Sequence, residues 1–148
     1  MRKLAAIMFS DISGYTAMMQ QNEKLAKDKR RRLKEVLESS VSSFGGKILQ
    51  YYGDGALSIF ESAIEGVNCA VEIQLALQKE PRVDLRIGIH TGDISIEEET
   101  IYGDGVNLAS RIESLAVPGS VFISEKVFDE IRNHANLAAR EMAYFELK

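Results

Sequence analysis

The sequence predicts an α+β fold with a ferredoxin-like βαββαβ core, an antiparallel sheet with helices packed on one face. Three observations point there. The opening elements read in the order β-α-β-β-α-β. The two β-rich runs at 47–60 flank Gly53-Asp54-Gly55, and Asp-Gly between such runs signals a hairpin. Apolar residues within 16–44 and 62–78 recur at intervals near three and four, the helical period.

Residues 3 to 10 read as a buried strand, since Leu4 to Phe9 is an unbroken apolar run. One helix is expected from about Thr16 to Phe44, carried by Met18, Leu25, Leu33, Leu37 and Val41 and stopped by Gly45-Gly46. The hairpin follows, then a helix from about Ser62 to Gln78 that Pro81 ends. Residues 83–90 read as a strand. A second short strand, an acidic tip at Glu97 to Glu99 and a return come next. A short helix is expected at 105–116, a strand at 120–124, and a helix at 125–134 with Ser124 as N-cap. The chain closes in a strand-like stretch at 142–148.

Composition narrows the function classes. A length of 148 residues suits one domain, 1–148, and net charge −4 disfavours a general nucleic-acid binder. No apolar run reaches membrane-spanning length, and the early first strand leaves no room for a signal peptide. A single cysteine, Cys69, excludes an internal disulfide or a multi-cysteine zinc site. A cytoplasmic location is expected.

The stretch "FSDISGYT" (9–16) ends a buried strand on a carboxylate, Asp11, and this is costly unless a positive group sits on it. In the expected topology the first strand pairs beside the hairpin, bringing Asp54 near Asp11. Two carboxylates that close repel unless a cation joins them. Magnesium suits oxygen ligands that leave positions open for phosphates. Taken singly, Asp11 reads equally as a helix cap and Asp54 as a turn residue. As a pair on neighbouring strands they point to a metal ion as Asp11's positive partner. The Gly-containing turn after Asp11 opens backbone N–H groups to an anion, for which a triphosphate is suited.

"FSDISGYT", "QYYGDG", "LRIGIHTG" and "YGDGVNLASRIESLA" resemble, in order and spacing, the signature blocks of the class III nucleotide cyclases, from about residue 3 to 148. The resemblance implies the nucleotide cyclase fold. It also implies a homodimer with active sites shared between subunits, and conversion of a nucleoside triphosphate to a 3′,5′-cyclic nucleotide and pyrophosphate. It assigns Asp11, Asp54 and the Ile12 carbonyl to two metal ions, Mg²⁺ or Mn²⁺. Gly14, Tyr15, Thr16, Arg86 and Lys148 are assigned to the phosphates, Asn107 to the ribose, and Arg111 to charge at phosphorus. Asn107 and Arg111 lie four apart and so share a helix face.

The base-reading positions depart from the pattern. In the family that this chain resembles, adenylate cyclases carry lysine where Gln50 stands, whereas Thr100 fits an adenine site. Glutamine both donates and accepts, so ATP is expected to be preferred with loose discrimination. The segment before "YGDGVN" is short, which implies a reduced dimer arm. Relatives continue past Lys148 into another strand, which implies a domain cut before its last strand with any regulatory module downstream. A catalytically silent or weak cyclase-like regulatory domain is the alternative, as is guanylate or relaxed specificity. An RNA-binding sheet lacks the basic surface it needs. "KDKRRRLKE" (27–35) reads as a solvated helix face, His90 as structural and Cys69 as core. Tyr51 and Tyr52 should point to opposite faces of their strand, as a core and surface pair.

Overall fold

A computed structural model describes residues 2–97 and 100–134. Its elements are β1 (Arg2–Ile12), α1 (Tyr15–Gln21), α2 (Glu23–Ser43), β2 (Lys47–Tyr51), β3 (Gly55–Phe60), α3 (Ala63–Leu77), β4 (Leu85–Glu97), β5 (Thr100–Tyr102), α4 (Asp104–Leu115), β6 (Val121–Ile123) and α5 (Glu125–Ile131). The strands run in the order β2-β3-β1-β4-β5, antiparallel along that path, and β6 adds one parallel pairing to β4. The closing strand expected at 142–148 lies outside the described residues, as do Glu98 and Glu99 of the acidic tip.

Strand β1 sits centrally because its apolar run can bury both faces. Ala5, Ala6, Ile7 and Met8 are all buried. Ala6, Met8 and Ile12 join Leu33 and Leu37 of α2, Ile73 and Leu77 of α3, and Val127 and Ile131 of α5 in the larger core. Ala5 and Ile7 face the other way and pack with Leu57, Ile59, Ile94 and Ala109 of α4. Helix α4 therefore covers the opposite face of the sheet, correcting the expectation of helices on one face. Glycines allow its close approach. A Cβ on Gly88 would fall 2.6 Å from the Glu113 Cα, and one on Gly92 would fall 3.2 Å from the Gly105 Cα.

Two further expectations change. The single helix at 16–44 is two helices broken at Asn22 (φ −154°), whose side chain accepts from the Leu25 N–H at 3.1 Å. A short amide side chain offers the backbone this local alternative to continuing the helix. Residues 85–97 form one long strand instead of two, since all but its end pairs along β1. The hairpin is as expected, closed by Tyr52 N–H to the Gly55 carbonyl at 2.8 Å. Ser62 and Ser124 cap α3 and α5.

Candidate active site

Asp11 is the penultimate residue of β1 and shares the α4 side with Ile7 and Phe9. Gly55 of β3 lies beside it on one hand and Arg86 of β4 on the other. Only glycine fits at position 55, where a Cβ would come within 2.9 Å of the Asp11 Cα and Cβ. Ile12 N–H donates to the Asp54 carbonyl at 2.9 Å, which ties the hairpin turn to the end of β1. The Ile12 side chain is buried in the larger core.

A cleft of about 370 Å³ opens here, lined by Asp11, Tyr52 and Asp54 on the sheet side and by Asn107, Ser110 and Glu113 of α4. Burial, then the charge of Asp11, pushes the Asp54 carboxyl up from its ordinary pKa. Two carboxylates, both oxygen donors on one open cleft, fit a hard divalent cation. Among the described residues no three acidic, histidine or cysteine side chains cluster to hold a metal ion by themselves.

The positive partner of Asp11 in this structure is Arg86, where the sequence pointed to a metal ion. Arg86 Nε donates to Asp11 Oδ1 at 3.0 Å and Nη2 to Oδ2 at 2.9 Å. Directly paired positions on neighbouring strands bring the two side chains together, and the planar fork of arginine matches a carboxylate. The hydrogen bonds to Asp11 hold Arg86 still more firmly protonated. Its Nη1 also reaches the Ser114 carbonyl at 3.4 Å, and Nη2 lies 3.8 Å from Glu113 Oε2.

Sequence reasoning passed over Glu113. It is buried, and its carboxyl is pushed up to about 8, first by burial and then by the hydrogen bond and negative charge of Asp11. The available signal was its position: with Gly105, Ala109 and Ile112 it falls on the buried face of α4, where an acid needs a partner.

The other candidates are dispersed. Gly14 takes the left-handed conformation (φ 72°) at the start of α1, Tyr15 packs against the core, and Thr16 is exposed. Asn107 lines the cleft. Arg111 is exposed on the same helix but does not line it. Gln50 is exposed on β2, and Thr100 begins β5, with three strands between these two edges. Lys148 lies outside the described residues.

The remaining singled-out residues divide as follows. Tyr51 and Tyr52 point to opposite faces, but neither is core. Tyr51 hydroxyl donates to Glu38 at 3.2 Å under Lys34, while Tyr52 stacks on Phe9 at 5.9 Å beside the cleft. His90 meets the Ser124 hydroxyl at 2.9 Å, and Cys69 is buried. The basic run is mostly solvated, with Lys27 paired to Glu23 and Arg31 to Asp28. Arg32 is its exception, donating to the Ala76 carbonyl at the end of α3 (2.9 Å).

Residues 2–147 match the family described as the adenylate and guanylate cyclase catalytic domain. A provisionally named adenylate cyclase 3 of Rhizobium meliloti strain 1021 is 37% identical over 155 residues, covering 99% of this chain and 26% of the relative. The solved adenylate/guanylate cyclase/hydrolase of Silicibacter pomeroyi superposes with a TM-score of 0.91 at 32% identity, covering 100% of this chain and 91% of that one. The guanylyl cyclase Cya2 superposes with a TM-score of 0.77 at 27% identity, over 88% and 79%. The chain spans about a quarter to a third of the length of the curated relatives it matches.

Proposed function

Since the chain belongs to the adenylate and guanylate cyclase catalytic-domain family, we propose that it converts a nucleoside triphosphate, preferably ATP, to the 3′,5′-cyclic nucleotide and pyrophosphate. The observation that carries this reading is the meeting of Asp11 and Asp54 on one cleft walled by α4. In the reaction the ribose 3′ oxygen bonds to the α-phosphorus, the bond to the pyrophosphate oxygen breaks, and the hydroxyl proton leaves to solvent.

Asp11, Asp54 and the Ile12 carbonyl would hold two ions, Mg²⁺ or Mn²⁺. Such ions supply positive charge that activates the attacking oxygen and neutralises the phosphates. Gly14, Tyr15 and Thr16 would receive the phosphates with Lys148, and Arg86 would join them after leaving Asp11. Asn107 would orient the ribose and Arg111 would stabilise charge building at phosphorus. Gln50 and Thr100 would read the base. The separation of Arg111 from the cleft of its own chain supports a homodimer in which Asn107, Arg111, Gln50, Thr100 and Lys148 serve the partner's carboxylates. Names among the relatives divide between adenylate and guanylyl cyclase, so the preference for ATP rests on Thr100 and the tolerance of Gln50. A cytoplasmic location belongs to the same proposal, because its substrate is found there. Among the described residues no helix is long and apolar enough to cross a membrane.

The test is incubation of the purified chain with each of the four ribonucleoside triphosphates, with Mg²⁺ or Mn²⁺, and identification of the products. Cyclic AMP as the leading product is expected. Binding of nucleotide with no cyclic product under any condition would overturn the proposal in favour of a silent regulatory domain.

A further inference from the structure

We propose that Glu113 is a positioning residue for Arg86, the acceptor that takes its guanidinium when a divalent cation claims Asp11. The inference rests on the metal-binding reading of Asp11 given above. Arg86 now covers both Asp11 oxygens, with contacts of 3.0 and 2.9 Å. A cation needs those oxygens, so the guanidinium must withdraw. The Arg86 side chain is 31% exposed, and a guanidinium left there without a partner is costly.

Two groups of α4 stand next to it. The Ser114 carbonyl is 3.4 Å from Nη1, and Glu113 Oε2 is 3.8 Å from Nη2. Reaching Glu113 takes a shift of about 1 Å from this separation to hydrogen-bond length. Glu113 cannot retreat, since its backbone rests on Gly88, two residues along β4 from Arg86 and on the same face. Its side chain, only 8% exposed, has little water to turn to. Arg86 therefore has a fixed acceptor on each side, Asp11 on the sheet and Glu113 on the helix. The cation decides between them.

The experiment is Mn²⁺ binding to the 148-residue chain, followed by the paramagnetic resonance of free Mn²⁺, with no nucleotide and no turnover. Wild type, Glu113→Met, Arg86→Ala and the double variant are compared as a cycle, since methionine keeps the length and removes the acceptor whether or not the carboxyl is protonated. Losing a hydrogen bond to a charged group predicts that Glu113→Met weakens Mn²⁺ binding about tenfold where Arg86 is present. Arg86→Ala is expected to tighten binding, because Asp11 is then free. In that background Glu113→Met should change affinity by less than about twofold. A purely structural role, or direct ligation by Glu113, would give the same loss in both backgrounds, and that result overturns the proposal. So does an unchanged affinity in Glu113→Met alone. Asp11→Asn reports on the premise: Mn²⁺ binding that ignores this change overturns the metal reading and the proposal with it. Glu113→Leu takes the place of Met in the cycle if that variant does not fold.

Discussion

Gly88 of β4 lies directly under Glu113 of α4, so close that a Cβ on the glycine would fall 2.6 Å from the Glu113 Cα and 2.9 Å from its Cβ. The obstacle is mostly backbone, which cannot swing aside as a side-chain tip can. Gly88→Ala should therefore push α4 away from the sheet and lower stability by about 1–3 kcal/mol, the usual cost of overpacking. Thermal unfolding measures the loss. An unchanged midpoint would show that α4 is not seated as described. Turnover should fall with it, because the same helix carries Asn107 and Arg111.

Asp11 and Asp54 should separate in stability while agreeing in activity. Asp11→Asn leaves Arg86 without its bidentate partner and should cost about 1–3 kcal/mol. Asp54 is pushed up by burial and by Asp11, so the fold disfavours its charge. Asp54→Asn should leave the unfolding midpoint equal or higher at neutral pH. Both variants should lose cyclisation with Mg²⁺ and with Mn²⁺. Appreciable turnover by either one removes the metal assignment.

Stability should also depend on pH through Glu113. Its folded-state pKa of about 8 lies above the ordinary value of 4.5. Between those values the folded chain holds a proton that the unfolded chain has released. Stability is then full below about pH 4.5 and falls as pH rises through about 8. Asp54 acts in the same direction. Unfolding midpoints in chelator across this range should fall in wild type and fall less in Glu113→Gln. Equal slopes would mean that Glu113 does not hold the proton.

Complementation tests the shared site. Asp11→Ala and Arg111→Ala damage different halves of each proposed site. Mixing the two inactive proteins should restore one intact site per heterodimer. With dimers shown by light scattering, an absence of recovered activity would rule out the shared arrangement.

Base choice should respond to Gln50. A neutral amide in place of a charged donor weakens one hydrogen bond by about 1–2 kcal/mol. Gln50→Lys should thus raise the ATP-over-GTP ratio of kcat/KM about tenfold, and Gln50→Glu should lower it. Neither change should alter the metal requirement. If neither moves the ratio beyond about twofold, the base is read elsewhere, and Tyr52 beside the cleft becomes the next residue to test.

Local chemistry made much of this protein legible from its residues alone. The strand carrying Asp11 near its end, the hairpin carrying Asp54 and the serine caps of α3 and α5 each depend on a few neighbouring residues. The family blocks could be read because each is a contiguous run, even where it crosses from one element into the next. Asn22 shows the limit of periodicity, since the apolar rhythm of 16–44 continues across a break that one amide side chain makes. What lay out of reach was non-local. Nothing near Asp11 in sequence announces that Arg86, 75 residues away, takes both its oxygens. That contact exists because β1 and β4 pair in one register. The place of α4 on the opposite face, and hence the burial of Glu113 against Arg86, was likewise decided in three dimensions. Two apolar faces on β1 require two covering layers, and Gly88 and Gly92 let only a close-packed helix complete the second.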